Sequence, residues 1–448
     1  MPIGESVYGN NQFNLGYILL GMVTNIAVIG TGYVGLTTGA CLAHLGHHVI
    51  CADIDADKIA KLRDGIIPIV ELGLSELVKD GIASGRLSFT VGSAEAVKNC
   101  KIAFLCVPTP QGKDGSADLS YIQMAAQDIS PVLPFEAIVV NKSTVPVGST
   151  KVVERALGRP DVKVVSNPEF LREGSAVHDF LKPDRVVIGS DDQVAAMKVA
   201  SLYDGLSTRV IITDPASAET IKYAANAFLA TKLSFINAIA AICEGVGADI
   251  NDVVVGMGSD KRIGENFLRP GPGWGGSCFP KDSRALIKIA QDANYSFDLL
   301  KGVITVNDEQ FNRVVDKIIR ATGGDIRKKT IAIWGLTFKA GTDDLRDSPS
   351  IQIIQQLIDK GAKIQGFDPT VKNLRTGMPA DVKLCSSPIE AANGADALAV
   401  LTEWEDFKWV TPIDIASVMD GMQIIDARNL LNRKDWERAG FVYQGIGH

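Results

Sequence analysis

Cys278 stands in the stretch GPGWGGSCFPKD, residues 271–282, with Lys281 three and Asp282 four positions further on. Four glycines precede it within residues 271–276. Glycine lets a backbone come close to a ligand, and a nearby cation favours the thiolate form of a cysteine. Beside a hydride-transfer site, a thiol can add to an aldehyde. Loss of hydride from that adduct leaves a thioester, which water cleaves. The sum is alcohol to acid, a four-electron oxidation. Spacing alone also allows a packing cysteine in a flexible loop.

Other residue pairs bear on the same chemistry. Lys222 and Asn226 in ETIKYAANAF are i, i+4 on a helical pattern. There an ammonium can stabilise an alkoxide while an amide orients it or a water. They also read as a rim lysine and a helix–helix amide. Glu169 and Glu173 in NPEFLREG, residues 167–174, share one face if the segment is helical. They suit a general base and a ligand clamp, or two solvated charges. Thr109 in CVPTP (106–110), and Ser143 and Thr144 in KSTVPVG (142–148), follow strand patterns. Ligands of open parallel sheets bind beyond such strand ends; the alternative for these residues is turn chemistry.

The elements that must position them begin at Asn25. NIAVIGTGYVGLTTGACLAHLGHHVICADID reads as a buried strand, a glycine turn, a helix and a second strand. In Gly30-Thr31-Gly32-Tyr33-Val34-Gly35, Gly30 permits the turn and Gly32 the approach of a pyrophosphate. Gly35 allows close helix–strand packing, and the helix N-terminus favours the phosphate charge. Asp53 ends the second strand, 23 residues after Gly30. It would accept from a ribose and repel a 2′-phosphate, so NAD is expected over NADP. Lys58 is a second ribose or adenine contact or a solvated helix lysine.

Strand patterns at 102–108, 137–144, 162–168 and 185–190 alternate with helical ones, which predicts a parallel sheet covered by helices on both faces. Residues 216–246 then carry Ala, Leu, Ile and Phe at helical spacing without proline. A helix of that length, about 45 Å, is expected to connect domains and form a dimer seam. A second βαβ signature starts at Lys328. TIAIWG (330–335) matches NIAVIG (25–30), and Asp368 echoes Asp53. This degenerate repeat lacks GxGxxG, and its first loop is about ten residues longer. It is expected to bind a nucleotide differently, if at all.

The whole chain has 448 residues, 46% hydrophobic and 22% charged, with net charge −7. That is a multidomain globular protein without a nucleic-acid footprint or a polybasic membrane anchor. The seven cysteines are scattered and form no CxxC pair. Neither a disulfide scaffold nor a metal site is expected, and the compartment should be reducing. Residues 1–21 hold a short apolar patch, and no Lys or Arg precedes Lys58. They read as an extension outside the fold, and the protein as cytoplasmic.

These motifs, with PDRVVIG, RIGENFLRP, GLTFKAGTDDLRDSPS, FDP and DARN, run in order through residues 25–429. On them the chain resembles the UDP-glucose/GDP-mannose dehydrogenase family, and within it the UDP-glucose group. The resemblance implies an α/β fold: two Rossmann-like doubly wound domains joined by a long central helix and a helical dimerisation region. The expected ranges are 22–213 for NAD, 214–318 for dimerisation and 319–448 for the UDP-sugar. It implies Cys278 as nucleophile and Lys222 as oxyanion stabiliser, with Asn226 and Asp282 assisting. Glu169 would act in thioester hydrolysis and Thr144 would help hold the water.

Around the cofactor the resemblance places Gly30 to Gly35, Asp53, Lys58, Val107, Thr109, Ser143, Thr144, Glu173, Lys281 and Arg346. Around the sugar nucleotide it places Glu169, Phe170, Leu171, Arg172, Glu173, Lys222 and Asn226. From the later segments it adds Phe267, Arg269, Gly275, Phe279, Phe338, Lys339 and Arg428. Arg262 would reach the neighbouring subunit's site, which implies a homodimer.

The implied substrate is UDP-glucose. GDP-mannose enzymes share NPEFLREG and FKAGTDD, but SCFPKD and KPDRVVIG are closer to the UDP-glucose type. UDP-N-acetylhexosamine dehydrogenases lack SCFPKD. A non-catalytic NAD-binding protein would not retain Cys278, Lys222, Asn226, Asp282 and Glu169 together. A two-electron hydroxyacid dehydrogenase needs no thiol.

Overall fold

The computed structural model describes residues 23–112 and 117–448, so the expected extension at 1–21 lies outside the described residues. The first sheet contains β1 (Asn25–Ile29), β2 (His48–Asp53), β3 (Leu87–Val91), β4 (Ile102–Leu105), β5 (Ile138–Asn141), β6 (Lys163–Ser166), β7 (Arg185–Gly189) and β8 (Arg209–Thr213). Their order is β3-β2-β1-β4-β5-β6-β7-β8. The strand order reverses between β1 and β4, which opens a crevice at the C-terminal strand ends.

Helices cover both faces of this sheet, so its central strands are apolar on both sides. Alternate side chains sort between the two layers. Ile26 and Val28 of β1 pack with Leu36, Leu42 and Ile59. Ala27 and Ile29 pack with Ile122, Ile129 and Val153 on the other face.

The expectation of an all-parallel sheet fails at β7. β1 to β6 are parallel, but β7 pairs antiparallel with β6, at Ser166 and Gly189, and β8 follows β7 in parallel. The cause lies in the connection. After Ser166 the chain has only one short helix, Ala176–Leu181, before Arg185. A parallel return needs a crossover that carries the chain back along the sheet. Here the chain stays at the strand ends and re-enters from the end it left.

The long helix runs Pro215–Val246. Asp214 caps it by accepting from Ser217 N, Pro215 fills its first turn, and Gly247 ends it at φ +74°. It is long and apolar enough to cross a membrane. Instead it packs on β7 and on the helices Phe279–Asp292 and Asp298–Ala321. Glu219, Lys222 and Asn226 are buried on its inner side.

The second sheet comprises β9 (Thr330–Trp334), β10 (Lys363–Phe367), β11 (Val382–Leu384), β12 (Ala397–Val400), β13 (Gln423–Asp426) and β14 (Val442–Gln444). Its order, β11-β10-β9-β12-β13-β14, repeats that of the first six strands. The repeat extends to the acidic residue after the second strand. Asp53 Oδ2 accepts from Thr31 N at 3.0 Å and Thr31 Oγ1 at 2.6 Å. Asp368 Oδ2 accepts from Leu336 N, Thr337 N, Thr337 Oγ1 and Trp404 Nε1. Asp368 is 1% exposed, and those four donors leave that oxygen nothing to offer a ribose.

Candidate active site

A cavity of about 1940 Å³ runs from the β1–β4 crevice, past the long helix, to the loop after β9. At its first end, Gly30 turns at φ +95°, where a Cβ would lie 2.5 Å from Cys106 O. A Cβ at Gly35 would lie 1.9 Å from Gly30 O, so the helix packs against the turn itself. A Cβ at Gly32 would meet no protein atom within 4 Å, because that side is cavity. Gly32 also begins the helix Tyr33–His44 without a side-chain cap, leaving its first N–H groups to a pyrophosphate. This cradle fits NAD.

Burial pushes the Asp53 carboxyl up, but bonds from Lys58 and Thr31 outweigh it and hold the group at about 2. Lys58 Nζ sits 2.8 Å from Asp53 Oδ2. Thr31 is fully buried and supports Asp53 from behind. Tyr33, Val34, Val107, Thr109, Ser143 and Thr144 line the cavity. Two of the hydroxyls tie neighbouring loops together: Ser143 Oγ donates to Val107 O at 2.7 Å, and Thr109 Oγ1 to Thr144 O at 2.9 Å.

In the middle, the long helix meets the end of β6 and the cysteine loop. Lys222 Nζ donates to Glu169 Oε1 at 2.8 Å, with both side chains at most 5% exposed. Burial opposes both charges, yet each stabilises the other. Glu169 is held below, and Lys222 above, its ordinary value. Asn226 Nδ2 donates to Asp282 Oδ2 at 2.6 Å, and Lys281 Nζ to Asp282 Oδ1 at 2.7 Å. Asp282 is fully buried behind the cavity wall, while Asn226, Lys281 and Cys278 line it.

Burial pushes the Cys278 thiol up to about 11, against the pull of Lys222. The expected activator, Lys281, is occupied by Asp282 instead. The resting thiol is therefore protonated, and its relevant cation comes from the long helix.

The glycines of the cysteine loop admit protein rather than only ligand. A Cβ at Gly275 would lie 1.9 Å from Asp347 O, one at Gly276 2.7 Å from Phe338, and one at Gly273 2.4 Å from Phe311. The loop is also fastened, not flexible. Asn237 Oδ1 accepts from Gly271 N, Asn307 Oδ1 from Trp274 N, and Ser234 Oγ from Trp274 Nε1.

Residues 167–174 are not helical, so Glu169 and Glu173 do not share a helix face. Glu169 turns to Lys222. Glu173 accepts from Ser277 Oγ at 3.0 Å and from Arg346 Nη2 at 3.2 Å. Burial and the nearby Asp344 carboxylate push Glu173 up to about 7.

Phe170, Leu171, Arg172, Phe267, Arg269, Phe279, Phe338, Lys339 and Arg428 all reach the cavity wall. Phe267 holds a left-handed φ of +62°, a strained setting for a bulky residue, and packs on Phe279 at 6.4 Å. Arg172 is clamped by Asp179 at 2.6 Å. Arg428 Nη2 reaches Phe338 O at 3.2 Å. Arg262, expected in the neighbouring subunit's site, does not line this cavity: its side chain is 89% exposed and pairs with Asp260.

Residues 24–207, 216–309 and 332–433 match the NAD-binding, central and UDP-binding domain models of the UDP-glucose/GDP-mannose dehydrogenase family. The chain belongs to that family. This NAD-dependent dehydrogenase is 46% identical over 432 residues to the UDP-glucose 6-dehydrogenase of Rhizobium meliloti, covering 94% of this chain and 99% of that one. It is 44% identical over 428 residues to UDP-glucose 6-dehydrogenase TuaD of Bacillus subtilis, covering 94% and 93%. Its structure superposes on that of a UDP-glucose dehydrogenase from Pyrobaculum islandicum with a TM-score of 0.87 at 34% identity, covering 96% and 100% of the two chains.

Two residues that shape this dehydrogenase's site escaped the sequence reading. Arg185 stacks its guanidinium 3.6 Å from the Phe170 ring centre. It reaches the cavity only because β7 re-enters from the site end. Glu219, buried one turn before Lys222, accepts from Gly148 N, Thr150 N and Thr150 Oγ1. It fastens the loop of Ser143 and Thr144 to the helix of Lys222. Its i, i+3 spacing from Lys222 on a predicted apolar face was the available signal.

Proposed function

We propose that this dehydrogenase oxidises UDP-glucose to UDP-glucuronate, consuming two NAD and one water and releasing two NADH and three protons. The observation that carries the reading is the cavity wall itself, where Cys278 stands with Lys222, Glu169 and Asn226. A two-electron oxidation needs no such thiol. The names of the Rhizobium and Bacillus relatives support UDP-glucose as the sugar nucleotide.

Lys222 spends one of its three protons on Glu169, and the others remain for an oxyanion at C6 of the sugar. Asn226, held by Asp282, orients that oxygen or a water. The β1–β4 crevice would hold the nicotinamide, which would supply the acceptor for both hydrides. Between the two hydride transfers, Cys278 adds to the aldehyde and retains it as a thiohemiacetal; the second oxidation leaves a thioester. Glu169 then takes a proton from the water that attacks the acyl carbon, with Thr144 beside it, and Cys278 leaves as the thiol. Phe338, Lys339, Arg428 and Phe267 would hold the UDP portion, and Arg346 and Glu173 the nicotinamide side.

A homodimer belongs to this proposal. Phe228, Phe235 and Ile242 are seven residues apart along the long helix and 65, 49 and 57% exposed, the spacing of a helical seam. Arg262 would enter the partner's cavity. The test is NADH release from UDP-glucose, GDP-mannose and UDP-N-acetylglucosamine. Two NADH per UDP-glucose is expected, and one NADH, or preference for another sugar nucleotide, overturns the reading. Cys278→Ser should lose turnover yet bind NAD and UDP-glucose.

A further inference from the structure

Arg185 enters the site from the side opposite the cofactor. Across the first sheet the order runs β4, β5, β6, β7. Thr109 after β4 and Thr144 after β5 line the cavity at its cofactor end. Glu169 follows β6, and Arg185 opens β7 beside it. The antiparallel register sets Ser166 against Gly189. Counting four residues on from Ser166 and four back from Gly189 brings Phe170 opposite Arg185, and there the guanidinium lies 3.6 Å from the ring centre. Lys222 Nζ lies 5.5 Å from the centre of the same ring. Phe170, Arg185 and Lys222 all line the cavity, so one aromatic ring carries both the ammonium of the reacting centre and a guanidinium.

That guanidinium has no protein acceptor. Among the described residues no oxygen accepts a hydrogen bond from it and no carboxylate forms an ion pair with it. Burial works against its charge, and only Asp184, adjacent in sequence, favours it. The neighbouring cations are engaged, Lys222 by Glu169 and Arg172 by Asp179. A guanidinium resting on a ring keeps its N–H groups in its own plane, where two can donate side by side. Covering Phe170 would need only an aliphatic side chain, and a partly buried fork of unmatched donors is costly.

We propose that Arg185 is a specificity-determining residue that donates to the hydroxyls at C2 and C3 of the hexose. The proposal rests on UDP-glucose being the substrate. C6 must then stand between Lys222 and the nicotinamide, which belongs over β4 and β5. The diphosphate on C1 leads to the loop after β9. C2 and C3 lie across the sugar ring from C5, which carries C6, so they face away from the cofactor and toward β7. Two neighbouring hydroxyl oxygens suit a fork of two N–H donors. C2 is also the carbon at which mannose and the N-acetylhexosamines differ from glucose, so this contact bears on the choice among sugar nucleotides.

The experiment compares kcat/KM for UDP-glucose, UDP-2-deoxyglucose and UDP-3-deoxyglucose in the wild type and in Arg185→Met. A site built to hydrogen-bond a hydroxyl rejects the analogue lacking it, because its own donors are left unpaired. The wild type should therefore penalise the analogues by about tenfold or more. In Arg185→Met the rate on UDP-glucose should fall while that on the analogues falls much less, so the penalty for at least one of them shrinks about tenfold. A general loss of structure would lower all three rates alike. Penalties unchanged from the wild type overturn the proposal.

UDP affinity, measured by calorimetry, should stay within about twofold. A loss for UDP as large as that for UDP-glucose would put the guanidinium on the diphosphate and overturn the assignment. If Arg185→Met does not fold, Arg185→Lys keeps the charge over Phe170 but lacks the fork. Its penalties should shrink as well, and penalties equal to those of the wild type overturn the proposal there too. Failure of the substrate reading would appear in the wild type, as no NADH from UDP-glucose. Failure of this inference would appear only in the analogue ratios.

Discussion

Lys222→Met removes one half of an ion pair whose members are 2.8 Å apart and at most 5% exposed. The remaining Glu169, 5% exposed, keeps little contact with water. Breaking such a pair costs about 3–5 kcal/mol when the survivor stays charged. The survivor can instead take up a proton, so the cost depends on pH.

In the wild type Glu169 is depressed below its ordinary value. It therefore adds stability above its unfolded value, which fades as pH falls through the folded one. In Lys222→Met the pull of the ammonium is gone, and burial, opposed only by the Leu171 N–H and the more distant Lys142, raises it. The native state then binds the proton more tightly than the unfolded state, and stability falls as pH rises from the unfolded value toward the raised one. Urea midpoints at about pH 5.5 and about pH 8 read the difference. The variant should lie close to wild type at the lower pH and well below it at the higher. Lys222→Met with Glu169→Gln should recover most of the loss at the higher pH, because no buried charge is stranded. A single variant equally stable at both values, or a double variant with no recovery, would refute the reasoning.

Asp53→Asn should weaken NAD about tenfold, on the order of 1.4 kcal/mol, and relax discrimination against NADP. A wild-type enzyme that prefers NADP overturns the ribose assignment. Gly275→Ala forces a methyl to within 1.9 Å of Asp347 O. It should cost about 1–3 kcal/mol and lower turnover by displacing the loop after β9; an unchanged melting profile and rate would contradict that packing. Phe235→Asp, at an exposed apolar position of the long helix, should yield monomers by light scattering. If it stays dimeric, the seam lies elsewhere.

Much of the architecture was written in local pattern. β1 and β2 read as buried strands because both faces of the sheet are covered. The GxGxxG turn carries its geometry in its own glycines, and the spacing of Lys222 and Asn226 survives because a helix fixes it. What was misread depends on distant atoms. Whether residues 167–174 form a helix is decided by Lys222, Arg346 and Ser277, all far away in sequence. The direction of β7 is set by where a loop must stay. Lys281 lies beside Cys278 in sequence but is taken by Asp282, while Lys222, 56 residues earlier, faces the thiol. The glycines around Cys278 read as room for a ligand, but their contacts come from helices and loops on either side.

The long helix bears Lys222 and Asn226 on the cavity side and the exposed Phe235 and Ile242 away from it. It is one stiff rod, so the two sides cannot turn separately. A roll of about 10° swings a side-chain tip about 6 Å from the axis by about 1 Å. Misplacement of about 1 Å is enough to slow a reaction roughly a hundredfold. Whatever surface grips Phe235 and Ile242 therefore has its hand on a crankshaft, with the Lys222 ammonium as the crank pin.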